Sequence, residues 1–298
     1  MHNVALTWQQ AAALAVALKL ATAVLRQPVQ SRLSVLESPT GRLGARAISV
    51  VNEIGTISAL YAVWQFAGSA PVFDAAGAFH RGEWIERVQH VIGLPSEHSV
   101  QGWLLPHPLL AQTANVYYAT MHFGAIFALL AWLYLRYRLD YPRARLLLIL
   151  VTLTCLIVQL LPVAPPRLLP GGGYVDTAAQ YGQSMYSAFA AVGPDQLSAM
   201  PSVHVAWAGL VALVVWRVAA GPWRYLGLLH LGATILVVTA TANHYWGDAI
   251  VALALLAACD LAIGALRRAR DSTASDTPAM AAADPLIAAP AVPTHHSL

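Results

Sequence analysis

Long apolar stretches recur along this chain, and each is close to the length that a helix needs to cross a bilayer. We predict membrane spans over residues 46–67, 115–136, 144–162, 201–219, 224–242 and 245–266. A spanning helix takes about 20 predominantly apolar residues. Only 10% of the residues are charged, against about 25% in a typical soluble domain. The sequence therefore predicts an all-α integral membrane protein.

A seventh apolar stretch, residues 8–25, is a weaker candidate span because it is rich in alanine and contains Lys19. No positive charge precedes it, so it lacks the pattern of a signal peptide. At the other end of the chain, residues 271–298 are rich in Ala, Pro, Ser, Thr and Asp. That composition is typical of a disordered tail, and we expect the tail to have no catalytic role.

The positions of the basic residues predict which connections face the cytoplasm. The formal net charge of +3 gives no reason to expect a nucleic-acid partner. Four connections are rich in arginine, with Arg26, Arg32, Arg42 and Arg46, then Arg136, Arg138, Arg143 and Arg145, then Arg217 and Arg224, and finally Arg267, Arg268 and Arg270. The alternate connections hold only Arg81, Arg87 and Arg167. Because basic loops stay in the cytoplasm, we expect six or seven crossings and a cytoplasmic C-terminus. We also expect the protein to be located in the plasma membrane.

Several polar residues from three separated segments fall at the predicted outer membrane interface. They are Arg167 in residues 161–176, Ser202 and His204 in "AMPSVHVAW" (199–207), and His244 and Asp248 in "TANHYWGDAIVA" (241–252). Random placement would scatter such residues over both faces of the membrane. Their shared location predicts a functional site on the non-cytoplasmic side.

The chemistry of these residues suits a phosphate group. His244 and Asp248 are one helical turn apart, so the carboxylate can fix one imidazole tautomer and leave the second nitrogen as a nucleophile, base or ligand. His204 adds a second imidazole. The guanidinium of Arg167 matches phosphate oxygens, and Ser202 precedes helix N–H groups that favour an anion. Singly, each residue also has a structural interpretation, such as an interfacial histidine or an N-cap. Together they are the groups needed for phosphoryl transfer through a phosphohistidine.

Three short motifs carry a family resemblance. "APPR" (164–167), "MPSVHVAW" (200–207) and "HYWGD" (244–248), in this order between membrane spans, resemble the type 2 phosphatidic acid phosphatase superfamily. The closest likeness is to its inositolphosphotransferase branch, which includes fungal inositol phosphorylceramide synthases. The resemblance covers roughly residues 46–266 and includes "NVYYATMHF" (115–123).

The resemblance implies a fold, a domain organisation and a substrate class. The family fold is a six-helix membrane bundle that uses no metal or other cofactor and acts on lipid phosphates or phosphodiesters. We therefore expect residues 46–266 to form the catalytic membrane domain. Residues 1–45 would add an extra N-terminal helix and a basic cytoplasmic connection, and residues 271–298 would form the cytoplasmic tail.

The resemblance also implies roles for individual residues. His244 matches the nucleophilic histidine of the family, and Asp248 matches the carboxylate that orients it. His204 matches the histidine that acts as acid and base. Arg167 and Ser202 match phosphate-binding positions.

The motifs depart from the commoner branch of the family at positions that would carry positive charge. That branch has a lysine where this chain has Leu160, and Ser-Arg where it has Val237 and Val238. It also has a glycine where Val203 stands. Two phosphate-binding cations are therefore missing, which disfavours a dianionic monoester and fits the inositolphosphotransferase branch. The acceptor stays open between water and an alcohol such as inositol.

Asn115, Tyr118 and His122 share one face at the outer end of a predicted span, because they lie at positions i, i+3 and i+7. They indicate either hydrogen bonds between helices or a contact with a head group or phosphate. If the phosphate needs a second positive group, His122 is our first choice ahead of Arg81 and Arg87. In the outer connection that contains these two arginines, the spacing of apolar residues predicts a short interfacial helix over 82–94.

Lys19, Glu53 and Asp260 lie inside predicted spans, where a charge is costly, and they are therefore expected to be paired or functional. Lys19 and Glu53 lie at the same predicted depth, so we predict a contact between them; the alternatives are that Lys19 snorkels to the inner surface or pairs with Asp260. These charges also suggest a rival function, a proton-coupled transporter, although transporters gather such groups near the membrane midplane.

A second rival is a metalloenzyme in which His204, His244 and Asp248 bind the metal. Both rivals leave Arg167 without a role, and a cation beside a metal site is unfavourable. Phosphoryl transfer on a lipid therefore explains more of the sequence than either rival.

Overall fold

A computed structural model describes residues 7–30, 39–69, 75–183 and 196–275, and helices dominate these ranges. In chain order they are α1 (Trp8–Gln30), α2 (Pro39–Ser69), α3 (Ala75–Val91), α4 (Glu97–Leu104), α5 (Pro108–Arg136), α6 (Tyr141–Gln159), a 3₁₀ turn (Pro166–Leu168), α7 (Thr177–Gln180), α8 (Val203–Val218), a second 3₁₀ turn (Gly221–Trp223), α9 (Arg224–Ala240) and α10 (Trp246–Ser275).

Five helical segments are long and apolar enough to cross a membrane, which supports the prediction of an integral membrane protein. They are Trp8–Leu25, Pro108–Arg136, Tyr141–Gln159, Gly221–Ala240 and Trp246–Ser272. The first corresponds to the weaker candidate over 8–25, and the others overlap four of the six predicted core spans. The remaining two predicted spans coincide with α2 and α8, whose apolar segments Ala47–Val63 and Val203–Val218 are shorter.

Helix α8 is the helix around which α5, α6 and α9 pack. Its buried residues are mostly small or β-branched, among them Val205, Ala206 and Ala208, and such residues let helix backbones approach closely inside a membrane. The closest approach is to α9, where a Cβ atom added to Gly227 would lie 2.9 Å from the Cα atom of Ala212. This packing places the first turn of α8, with His204, against its neighbours.

The predicted contact between Lys19 and Glu53 is wrong. Lys19 Nζ donates hydrogen bonds to Asn52 O, Asn52 Oδ1 and Thr56 Oγ1 at 3.1, 3.0 and 2.6 Å. Glu53 instead pairs with Arg145 of α6. Successive residues of a helix differ by about 100° in direction, so Asn52 and Thr56 face α1 while Glu53 faces α6. Lys19 does lie level with the turn of α2 that contains Glu53, but a shared level does not determine which side of α2 a residue faces.

The connection between α2 and α5 contains more helix than the sequence predicts. The short helix expected over 82–94 begins earlier, as α3 (Ala75–Val91), and α4 (Glu97–Leu104) was not predicted. Helix α5 also begins at Pro108 instead of 115, because proline is favourable in the first turn, where its missing N–H group has no partner to lose. These additions form a helical layer beside the candidate site.

The C-terminal part of the chain divides inside α10. One compact unit ends at Cys259 and a second begins at Asp260. Helix α10 continues to Ser275, so the first residues of the segment predicted as a disordered tail, 271–275, are helical. The rest of that segment, 276–298, lies outside the described residues.

We expect Gly227→Ala to destabilise the protein, because the new methyl group would meet the backbone of α8 and such overpacking costs about 1–3 kcal/mol. Gly232→Ala is the matched control on the same helix, since nothing lies within 4 Å of its added Cβ atom and alanine is the better helix former. The measurement is the thermal unfolding midpoint of the purified variants in detergent. A midpoint that falls equally in both variants would contradict the close packing of α8 on α9.

Candidate active site

His244 is held at its Nδ1 atom in the turn that precedes α10. This atom lies 2.7 Å from Ala199 O and 3.2 Å from Asp248 Oδ2. Both neighbours accept hydrogen bonds, so the proton of the neutral imidazole is assigned to Nδ1 and the lone pair to Nε2. Among the described residues, Nε2 of His244 is buried and has no hydrogen-bond partner. The arrangement leaves one nucleophilic nitrogen available.

His204, in the first turn of α8, places a second imidazole beside His244. The two ring centroids are 5.7 Å apart. Tyr118 stacks on the His204 ring at 4.2 Å, and His122 meets it edge-on at the same distance. In the described part of the chain, His204 Nε2 is also buried without a hydrogen-bond partner. Two imidazole nitrogens are therefore available for chemistry at neighbouring positions.

Arg167 is tied to the turn that carries His244. Its backbone N–H donates to Ala242 O at 3.0 Å, and its Nη1 donates to Asn243 Oδ1 at 2.8 Å. Its Nε lies 3.3 Å from Asp176 Oδ2. The side chain is buried because the 3₁₀ turn Pro166–Leu168 directs it into the protein. The guanidinium charge is thereby fixed near the residue that directly precedes His244.

Ser202 is the N-cap of α8 and is fully buried. Its Oγ accepts the N–H of Val205 at 3.4 Å, and its own N–H donates to Asp248 O at 3.4 Å. As an acceptor in this cap, the hydroxyl keeps its proton available for another acceptor. The start of α8 and the first turn of α10 are therefore joined, which brings Ser202 and His204 to His244 and Asp248.

The face of α5 that contains Asn115, Tyr118 and His122 serves two different contacts. Tyr118 and His122 pack on His204, and His122 Nδ1 lies 3.1 Å from Tyr118 O. Asn115 is buried elsewhere: it accepts a hydrogen bond from Thr177 Oγ1 at 2.8 Å and donates to Gln183 Oε1 at 3.0 Å. The structure thus brings two of these three side chains to the imidazoles.

A protein-family model, described as the PAP2 superfamily, matches residues 83–261. The chain belongs to the PAP2 superfamily. No curated protein and no solved structure matches the chain. Membership of the PAP2 superfamily indicates phosphatase or phosphotransferase chemistry, and the matched range contains all three segments that meet at His244.

The arrangement of possible metal ligands bears on the metalloenzyme alternative. In residues 7–30, 39–69, 75–183 and 196–275, no group of three or more His, Cys, Asp or Glu side chains is arranged to hold a metal ion. In the arrangement proposed above for a metalloenzyme, His204, His244 and Asp248 would form such a group. Here the Asp248 carboxylate is instead directed at His244 Nδ1 and the Tyr245 N–H.

Two buried residues that the sequence analysis missed hold the first turn of α10. Glu97 Oε1 accepts from the Trp246 N–H at 3.1 Å and from Gln89 Nε2 at 2.8 Å. Gln89 Oε1 accepts from the Gly247 N–H at 2.6 Å. Burial raises the pKa of the Glu97 carboxyl, while the hydrogen bonds that it accepts act in the opposite direction. The spacing of a Gln and a Glu in an outer connection gives no signal of this role.

We expect Glu97→Ala to lower turnover about tenfold or more. The Trp246 N–H would lose its acceptor, an unsatisfied buried N–H costs about 1–3 kcal/mol, and the resulting movement of the first turn of α10 would displace His244. Glu97→Gln keeps an acceptor oxygen and should retain more activity. Glu83→Ala, at an exposed position of α3, is the control. Turnover and the thermal midpoint are measured on each variant. Equal activity in the Ala and Gln variants would show that the acceptor at position 97 does not position the site.

Proposed function

We propose that this PAP2 protein is a metal-independent enzyme that transfers the phosphoryl group of a lipid phosphodiester or phosphate through a phosphohistidine, at the non-cytoplasmic face of the membrane. One observation carries the proposal. The Nε2 atoms of His204 and His244, which have no hydrogen-bond partner among the described residues, lie in neighbouring rings. Beside them is Arg167, which donates a hydrogen bond to Asn243, the residue before His244.

In the first step, His244 Nε2 attacks the phosphorus in line with the departing oxygen. The attack leaves a positive charge on the imidazole. The hydrogen bonds from its Nδ1–H to Asp248 and Ala199 O stabilise this charge. Protonated His204 gives its proton to the departing oxygen. Arg167 and the Ser202 hydroxyl, with N–H groups at the start of α8, stabilise the remaining phosphate oxygens.

In the second step, neutral His204 takes a proton from water or from an acceptor alcohol. The resulting oxygen attacks the phosphohistidine and releases His244 Nε2, which restores the starting state. Water yields a phosphatase, and an alcohol such as inositol yields a transferase. Both reactions use the same residues, so the acceptor is a property of what enters the site.

The substrate we favour is a singly charged phosphodiester. The two positions that hold cations in the commoner branch carry Leu160 and Val238, and Val238 is buried. Arg167 is then the arginine that we assign to the phosphate. The sequence favours His122 as a source of further positive charge, but its ring contacts that of His204, which must be protonated in the first step, so the two charges would repel each other. A phosphodiester needs less compensating charge than a dianionic monoester.

The charges that suggested a proton-coupled transporter have structural partners. Lys19 is bonded to α2, and Glu53 is paired with Arg145. Such pairing offsets the cost of a charge inside a membrane. These contacts give Lys19 and Glu53 a structural role, which weakens the argument for a transporter relative to phosphoryl transfer.

We expect His244→Ala and His204→Ala each to reduce turnover by about 10²–10⁴-fold, the usual range for a positioned acid, base or nucleophile. Asp248→Asn should cost less, because the imidazole stays but loses its preferred tautomer. The exposed residue His80 supplies the control His80→Ala. The assay follows labelled phospholipids and polyprenyl phosphates with and without inositol, and counts free phosphate and new lipid products separately. If His244→Ala keeps most of its activity, the nucleophile is another residue.

Activity should survive EDTA and fall with vanadate, because vanadate adopts the five-coordinate geometry of phosphorus during transfer. The measurement is initial rate in the presence of each reagent, followed by addition of Mg²⁺, Mn²⁺ or Zn²⁺ to the EDTA-treated enzyme. Loss of activity in EDTA that a divalent metal restores would favour the metalloenzyme instead.

A further inference from the structure

We infer that Asp176 sets the charge selectivity of the phosphate site and makes it favour a monoanionic phosphodiester over a dianionic phosphomonoester. The inference rests on the proposed function and adds a residue outside the three motifs. Asp176 Oδ2 lies 3.3 Å from Nε of Arg167, the arginine that we assign to the phosphate. The Arg167 side chain is 3% exposed and the Asp176 side chain 28%, so the carboxylate is at the accessible end of the pair.

The Asp176 carboxylate is fixed by its own helix. Asp176 is the N-cap of α7, and its Oδ1 accepts the N–H of Ala179 at 2.9 Å. One oxygen of the carboxylate therefore serves the helix while the other is directed at Arg167. A carboxylate held in this way cannot rotate freely when a phosphate arrives.

The segment on either side of Asp176 is also clamped by buried side chains. Gln101 of α4 bonds both backbone groups of Val175, donating from Nε2 to its carbonyl at 2.8 Å and accepting its N–H at 2.9 Å. Thr177 donates to Asn115 of α5 at 2.8 Å. Because both neighbours are held, the negative charge stays beside Arg167 when the site is occupied.

A fixed negative charge at this place penalises substrates in proportion to their own charge. A phosphodiester carries one negative charge, whereas a monoester carries nearly two above its second pKa of about 6. The repulsion from Asp176 is therefore about twice as large for the monoester. Because the guanidinium is buried and the carboxylate is only partly exposed, screening by salt is weaker than it would be for a fully exposed pair. Arg167 alone would attract both substrates, and the ion pair reduces its attraction most for the dianion.

The test compares two lipids that differ by one methyl group and one charge, phosphatidic acid and phosphatidylmethanol with identical acyl chains. Dissociation constants are measured at pH 8 in mixed micelles, in the His244→Ala background so that no turnover interferes. Asp176→Asn removes the charge but keeps a good N-cap. We expect this change to tighten phosphatidic acid binding about tenfold or more and phosphatidylmethanol binding much less.

Glu86→Gln is the matched control. Glu86 is a carboxylate of α3 that accepts a hydrogen bond from the hydroxyl of Tyr174. Its removal should change the ratio of the two dissociation constants by less than about threefold. An unchanged ratio in Asp176→Asn, an equal change in both variants, or weaker binding of both lipids by Asp176→Asn would each overturn the inference.

These outcomes are separate from those that test the proposed function. The proposed function fails when His244→Ala retains turnover, whatever the binding ratio is. The charge-selectivity inference fails on the binding ratio, even when the phosphohistidine mechanism is correct. Asp176→Ala removes both the charge and the cap, so a change seen there but absent in Asp176→Asn assigns the effect to the cap and counts against the inference.

Discussion

The geometry of the candidate site depends on how the buried N-terminus of α10 satisfies its backbone. The first N–H groups of a helix have no partner within the helix, and leaving one buried and unpaired is costly. Three successive N–H groups each find a side-chain acceptor here: Tyr245 bonds to Asp248, Trp246 to Glu97 and Gly247 to Gln89. Two of these acceptors come from α3 and α4. The layer formed by α3 and α4 therefore fixes the turn in which His244 lies, and the Asp248 carboxylate, proposed to orient His244, also caps α10.

The irregular segments that meet at this turn satisfy one another. Irregular backbone at membrane depth is tolerated only where it is buried in protein or lines a cavity. Val163 accepts the N–H of Ala199 and donates to Leu197 O, which joins the Arg167 segment to the segment before α8. The Tyr245 hydroxyl donates to Ala164 O at 2.9 Å, which joins the turn before α10 to the Arg167 segment. The hydrogen bonds that hold these three segments together thus also bring the two imidazoles to one place.

Sequence reasoning anticipated the helices and the meeting of three segments, because both follow from local signals. Apolar length predicts a span, and the charge of the loops assigns Arg167, His204 and His244 to one face. It could not anticipate contacts that depend on the direction in which a helix faces. Lys19 meets the turn of α2 that contains Glu53, yet its partners are Asn52 and Thr56. Gln89 and Glu97 were missed for the same reason, since nothing local indicates that an outer amide and carboxylate meet the start of the last helix.

The residues of the candidate site come from two parts of the chain, the family motifs and the connections between the long helices. The groups proposed to react, His204 and His244, belong to the family motifs. The groups proposed to adjust their surroundings come from the connections between the long helices, among them Glu97 at the start of α10 and Asp176 beside Arg167. A motif position must serve every substrate of the reaction, whereas a residue on an outer connection can change the local charge without disturbing the proposed nucleophile. The class of reaction would then be set by the membrane helices, and the choice among phosphate substrates by the segments that cover them.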